Sequence, residues 1–470
     1  MISSVHLLAG IAVLFAMALG CGRGTTAGEP SSMPASMTAT SEVPTALVVG
    51  TSAAPAPRPT AAPTARPAGT INRIAFSSLD GAIYTVAPDG TDLRLTAAPV
   101  ADEGARTGFR GAFMWPVWSP DGKRIMFSSL VPGARGLTVS LRIVDGDGGE
   151  PETIYQDDPG TTGIGSGVAH YAYWSPDSRQ VALIAGTSRG LTGKIIDVAT
   201  AKRKATVADG APMYFAWGPN SKKFLVHHQN YLRLYEFDDD GQATGGPRQI
   251  GGSSLAYFAP SFSPNGEGVL YADSTSEGAG VLLRRLDDTS TSVLMRAEGR
   301  VAFHWAPDGR RVAILSVPQD GLFGRLSVLS AGGSHLFDIN RPNLISFWWS
   351  PDSTRLAVIG IVPEDDGTNT LEVFIVDARD ASQLSIGTVR PTEEYLFMQL
   401  YFDQYAHSLQ PWSPDSRRLV VFGALGPRSA RVASTRNQVA ELGHAWVLDA
   451  SNVQEPVLVG KGYVGSWSPR

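Results

Sequence analysis

The sequence predicts an all-β protein: a single eight-bladed β-propeller of four-stranded antiparallel blades, closed by a C-terminal strand that pairs into the first blade. Three observations predict it. A motif of the form Trp-Ser-Pro-Asp recurs along the chain, each copy followed by a run of apolar and β-branched residues. The 470 residues carry 51 glycines and 32 prolines, which suits many short strands joined by tight turns. One cysteine, Cys21, leaves no intrachain disulfide framework, so the core must hold by burial alone, as a domain of roughly 400 residues can.

Residues 1–21 read as a targeting segment. LLAGIAVLFAMALG, 7–20, is apolar but short for a membrane span, and small residues lead into Cys21. Ala18-Leu19-Gly20-Cys21 resembles a bacterial lipoprotein box, which implies lipidation of Cys21; an ordinary secretory signal cut nearby is the alternative. Either way the expected destination is outside the cytoplasm, anchored at the outer face of the cytoplasmic membrane or the cell surface, or secreted. Residues 22–69 follow, rich in Ala, Pro, Ser and Thr and poor in aliphatic side chains apart from LVV at 47–49. Such a stretch cannot bury enough to offset its ordering entropy, and reads as a disordered tether leaning to polyproline II. At about 3.1 Å per residue it would reach on the order of 150 Å.

The repeat occupies residues 70–470. Its copies start at Trp118, Trp174, Trp217, Phe262, Trp305, Trp349, Trp412 and Trp467, with gaps of 56, 43, 45, 43, 44, 63 and 55 residues. A basal period near 44 is one four-stranded blade, and three gaps carry insertions. Within the motif, Pro sets φ for the first turn position. The acid or amide that follows, as at Asp121, Asp177, Asp308, Asp352 and Asp415, bonds back to nearby backbone. Gly takes the positive φ of the next position; where Ser stands there instead, as at Ser178 or Ser353, a strained or differently typed turn is expected. Seven of the ten tryptophans occupy the motif, which favours packing between blades over a shared catalytic role.

Strand counting gives the closure. INRIAFSSLDGAIYTVAPDGTDLRLT, 71–96, reads as the second, third and fourth strands of a blade with no motif before it. Second strands start near Arg73, Arg124, Gln180, Lys223, Gly268, Arg311, Arg355 and Arg418, and first strands match them in number only if GYVGSW, 462–467, is included. The last strand is therefore expected to complete the first blade, which leaves no unpaired edge in the ring. This repeat resembles that of TolB-type propellers, also found in the propeller domains of dipeptidyl-peptidase IV and prolyl oligopeptidase relatives. The resemblance implies the fold and leaves the function open, since binders and regulatory domains of enzymes share it.

In a propeller the short motif turns lie on one face and the longer connections on the other. Here the long ones are 97–112, 158–168, 389–408, 129–137, 361–369 and 424–442, which fall in one sector of a closed ring. The richest is EEYLFMQLYFDQYAH, 393–407. Glu393, Glu394, Tyr395, Phe397, Tyr401, Asp403, Tyr405 and His407 are the candidate binding residues, since aromatic side chains suit interface centres. A short helix burying its own aromatics over the channel is the competing reading. His170 and His407 precede first strands and approach the channel mouth, yet no metal-ligand spacing appears, and no metal or cofactor is expected. Gly186-Thr187-Ser188-Arg189-Gly190 matches a hydrolase pattern but lies between two strands, where that pattern's strand–turn–helix context is missing.

With signs well mixed and a net charge of −5, nucleic acid is not an expected partner. The expected function is a monomeric, non-catalytic binding or scaffold module recognising an envelope protein, peptide or glycan, and touching membrane only through its lipid. A carbohydrate- or peptide-acting hydrolase or lyase using acids of the same sector is the alternative.

Overall fold

Each motif stands where two antiparallel strands meet. In a computed structural model, residues 72–99, 111–133, 136–158, 163–164, 168–187, 190–252, 257–276, 278–297, 299–317, 323–364, 369–426 and 443–469 are described. Cys21, the 22–69 tether and most of the connections at 97–112, 158–168 and 424–442 lie outside them. The described chain is nearly all β, built as a propeller-type array of four-stranded antiparallel sheets. In the Trp118 unit, Ala112–Trp118, Arg124–Gly133, Gly136–Asp145 and Glu152–Gln156 pair in chain order. The Trp174, Trp217 and Phe262 units are separate four-stranded meanders of the same kind.

The remaining strands form one 13-stranded ribbon. One of its strands, His335–Trp349, serves two units, pairing with Phe323–Ser330 and then with Arg355–Pro363. Gln383–Pro391 and Val457–Trp467 are shared in the same way by two successive meanders. The physical reason is length: at 340–343 too few residues separate the two roles for the chain to turn away, so it bends at Asn343 (φ 60°) and continues extended.

Val457–Trp467 ends against the first strand, Ile74–Ser78, with Ile74 opposite Trp467 and Phe76 opposite Gly465. A Cβ on Gly465 would stand 2.1 Å from the Ala75 carbonyl oxygen, so only glycine lets the two backbones approach this closely. Beyond the pairing, Ser468 N–H donates to the Arg73 carbonyl (2.8 Å) and Arg73 N–H donates to Ser468 Oγ (3.0 Å). An ordinary motif turn makes the same two bonds, from Ser119 N–H to the Arg124 carbonyl (2.8 Å) and from Arg124 N–H to Ser119 Oγ (2.9 Å). One turn of the repeat is thus assembled from residues 395 apart in sequence.

Neighbouring units are latched by a device the motif repeats. Trp174 Nε1 donates to the Val117 carbonyl (3.2 Å), Trp349 Nε1 to His304 (3.4 Å) and Trp412 Nε1 to Trp348 (3.0 Å). Each acceptor directly precedes the motif aromatic of the previous unit. Arg124, Arg311 and Arg355 lie over the rings of Trp174, Trp349 and Trp412, and donate to the carbonyls of Ser178, Ser353 and Ser416. Trp467 Nε1 bonds Asn72 Oδ1 (2.8 Å) instead, while Trp118, Trp217 and Trp305 leave Nε1 without a partner. Because the sheets stack face to face, second strands are buried on both sides; Val181–Ala185 is buried throughout, an unbroken apolar run rather than an alternation.

Candidate functional site

Side chains alternate along a strand, so residues one and three before each motif aromatic share one face of the first strand. That face lines the centre of the array, and its members meet the segment that sequence reasoning selected. Residues 392–411 leave the sheet after Pro391 and return at Trp412, whose backbone bridges Leu419. They form two helices, α1 (Glu393–Leu400) and α2 (Phe402–Tyr405). Thr392 caps α1, accepting from Tyr395 N–H (3.2 Å) while its hydroxyl donates to the Tyr463 carbonyl (2.5 Å). Glu393 and Glu394 complement the positive N-terminus of α1 in its first turn.

The helices fill the centre rather than cap it. Tyr405 stacks on Trp115 (5.1 Å) and meets Tyr171 edge-on (5.3 Å), Tyr401 stacks on Phe258 (5.0 Å), and Phe402 meets Phe347 (5.0 Å). Tyr171 OH donates to the Gln404 carbonyl (2.7 Å), and both Ser346 Oγ (2.6 Å) and Trp348 Nε1 (2.9 Å) donate to Gln399 Oε1. Trp115 sits at φ 58°, inside a β-bulge that turns its ring towards Tyr405.

The expected recognition surface is therefore largely inside. Tyr395, Asp403 and Tyr405 are buried and cannot present a surface; Phe397 and Tyr401 are half-buried against other rings. Glu393 and His407 are exposed, and Glu394 is intermediate. The physical reason is that the array leaves a central space, and aromatic rings fill it with less lost rotamer freedom than flexible chains.

The carboxylates are not gathered. Glu394 lies by Tyr463, and burial pushes its carboxyl upward, with the neighbouring charge of Glu393 adding to the rise. Asp403 is buried, where Oδ2 accepts from Phe258 N–H (3.3 Å) and its own carbonyl accepts from His304 Nε2 (3.0 Å). Burial raises Asp403 to about 6, although the Arg300 guanidinium and nearby backbone N–H groups oppose it. Arg300 in turn lies over Phe258 (4.3 Å) and Phe323 (4.7 Å) and donates to the Leu400 carbonyl (3.2 Å).

Sequence reasoning singled out His170 but not the polar cluster that holds it. Ser128 Oγ lies 3.0 Å from His170 Nδ1, and His170 Nε2 lies 3.2 Å from Asp157 Oδ1. An Nε2–H tautomer satisfies both bonds, with Ser128 donating. The order copies a nucleophilic triad, but all three residues are buried. The adjoining cavity, lined by Trp115, Ser128, His170, Tyr405 and Leu409, has room for about one water molecule. The two bonds clamp the Trp118 unit to the Trp174 unit. The three residues come from separate elements, so no sequence spacing announced them.

Other sequence features resolve as structure. Gly186 and Thr187 pair with Leu191 and Gly190 in a hairpin, not a nucleophile elbow; Ser188 lies outside the described residues. His227 and His228 diverge: His227 Nδ1 bonds the Phe258 carbonyl (2.8 Å) and stacks on Tyr257 (4.1 Å). Among the described residues, no group of three His, Cys, Asp or Glu side chains is arranged to hold a metal ion.

No family model matches the chain, and no curated protein matches it. Similar solved structures include a eukaryotic initiation factor, at TM-score 0.48 and 14% identity, covering 86% of this chain and 99% of that one. TolB from Acinetobacter baumannii is similar at TM-score 0.35 and 15% identity, over 75% of this chain and 86% of that one. A prolyl endopeptidase is similar at TM-score 0.49 and 11% identity, over 75% of this chain and 50% of that one. Likenesses this distant carry no argument about activity.

Proposed function

We propose that the chain is an exported eight-bladed propeller, tethered through Cys21 and residues 22–69, that acts as a non-catalytic binding or scaffold module. Its partner is an envelope protein, a peptide or a glycan, met on the face where the long connections emerge. The strand shared between Val457–Trp467 and Ile74–Ser78, together with the turn shared by Ser468 and Arg73, supports ring closure. Counting each long ribbon strand in both of its meanders supports eight blades.

One observation carries the non-catalytic reading: the centre of the array is filled by α1 and α2, and Asp403 is buried there against the Phe258 backbone and His304 rather than facing a cleft. A glycosidase of the usual two-carboxylate kind needs its carboxyls within about 5–10 Å of one another in an open cleft. A plugged channel instead offers a rigid rim, with Glu393 exposed on it. A photo-crosslinking side chain at Glu393 in the intact protein, in its native envelope, should give a discrete adduct. The same group at Arg310, in an exposed motif turn of the opposite face, should give none. Equal adducts from both positions, or none from Glu393, would overturn the assignment of the face.

A further inference from the structure

Two imidazoles meet at the centre of the array. His304 projects from Val301–Trp305, and His407 follows α2; their ring centroids are 4.9 Å apart at 65°. His304 Nε2 bonds the backbone carbonyl of Asp403 (3.0 Å). A carbonyl can only accept, so Nε2 carries the proton and Nδ1 holds the free lone pair. A hydrogen bond from one ring nitrogen to a backbone carbonyl is also how proteins orient a metal-ligating histidine. His407 lies over Tyr173 (6.0 Å, 21°), and is an exposed residue that follows the four buried residues of α2.

From this geometry we propose that His304 and His407 form a two-imidazole site for a borderline divalent cation, of the copper(II) or zinc class, with water in the remaining positions. At about 2.0–2.1 Å from each nitrogen, a metal lies roughly 3.2 Å from each ring centre. Two rings at a near-tetrahedral angle then stand about 5 Å apart, which the observed pair matches. Imidazole donors select copper, zinc and nickel over magnesium and calcium, and copper(II) binds most tightly in that series. No third His, Cys, Asp or Glu is arranged with them among the described residues. The site is independent of the proposed binding role.

Titrating metal-free, tag-free full-length protein with copper(II), followed by electron paramagnetic resonance, tests this. The expected result is one ion per chain with hyperfine coupling from two imidazole nitrogens. His407→Ala should weaken binding at least tenfold and reduce the coupling to one nitrogen; His407→Gln, which keeps the bulk, should do the same. His335→Ala, at an exposed histidine elsewhere, should change neither. Equal titration by the wild type and both His407 variants, or loss of binding on removing His335, would mean adventitious copper only and overturn the site.

Discussion

At Ser353 the chain places a β-carbon where φ is 62°, a conformation that glycine fills in the motif turns at Gly122, Gly266 and Gly309. Ser178, Ser221 and Ser416 do the same at 62°, 61° and 60°. The strain expected from sequence is present, and the structure adds its compensation. Each hydroxyl accepts a hydrogen bond from the previous unit: Ser353 Oγ from Asp308 N–H (2.9 Å), Ser178 Oγ from Asp121 N–H (3.2 Å), Ser221 Oγ from Asp177 N–H (3.0 Å) and Ser416 Oγ from Asp352 N–H (3.1 Å). Ser353→Ala keeps the strain and loses the bond, so it should destabilise by about 1–2 kcal/mol in urea unfolding. Ser353→Gly loses the bond but relieves the strain, and should cost less. Equal losses would show that the hydroxyl contributes nothing. Two kinds of aspartate set opposite pH trends. Burial raises Asp121, Asp352 and Asp415, but motif serines and backbone N–H groups more than offset it and hold them below the usual carboxylate range. Their contribution is present above the unfolded pKa and is lost as pH falls through their lowered values. Asp403, raised to about 6, works the other way. It costs nothing below the unfolded carboxylate range, and stability falls as pH rises from about 4 to 6, by about 2–3 kcal/mol in all. Asp403→Asn should flatten the slope of unfolding free energy across that window; an unchanged slope would contradict the assignment.

The elements show what the sequence made legible and where it stopped. Strand–turn–strand units were readable because the motif marks each turn and an apolar run marks each second strand; Arg311–Ser316 and Arg355–Pro363 begin where they were expected. The fusion of His335–Trp349 was not readable, because nothing local distinguishes a turn from a bend when only a few polar residues intervene. The orientation of 393–407 was ambiguous for a different reason. A helix surrounded by channel wall is apolar on all sides and shows no amphipathic stripe, so a buried plug and a displayed aromatic patch have the same composition. The structure separates them through partners distant in sequence, such as Trp115, Tyr171 and Ser346. Tyr405→Ala should thus destabilise by about 3 kcal/mol, as deletion of a buried aromatic does. Glu393→Ala, on the exposed end of α1, should change stability by less than about 0.5 kcal/mol. Reversal of that order in thermal or denaturant unfolding would return the segment to the surface.

On the scale of the whole molecule, the repeat beginning at Trp467 is completed by residues that stand at the other end of the folded region. Ile74–Ser78 is buried throughout and pairs on one side with Ile83–Val86 and on the other with the end of Val457–Trp467. Without that partner, an inner strand becomes an edge, and the neighbouring units lose one side of their support. A ring shares this loss cooperatively, whereas an open array would confine it to one end. The direct measurement is hydrogen exchange and thermal unfolding of the chain truncated after Lys461, compared with the full-length protein. Closure predicts a single transition at markedly lower temperature, with amide protection lost in Ile74–Val86 and weakened around the array. An unchanged melting temperature, with protection in Ile74–Val86 intact, would contradict it.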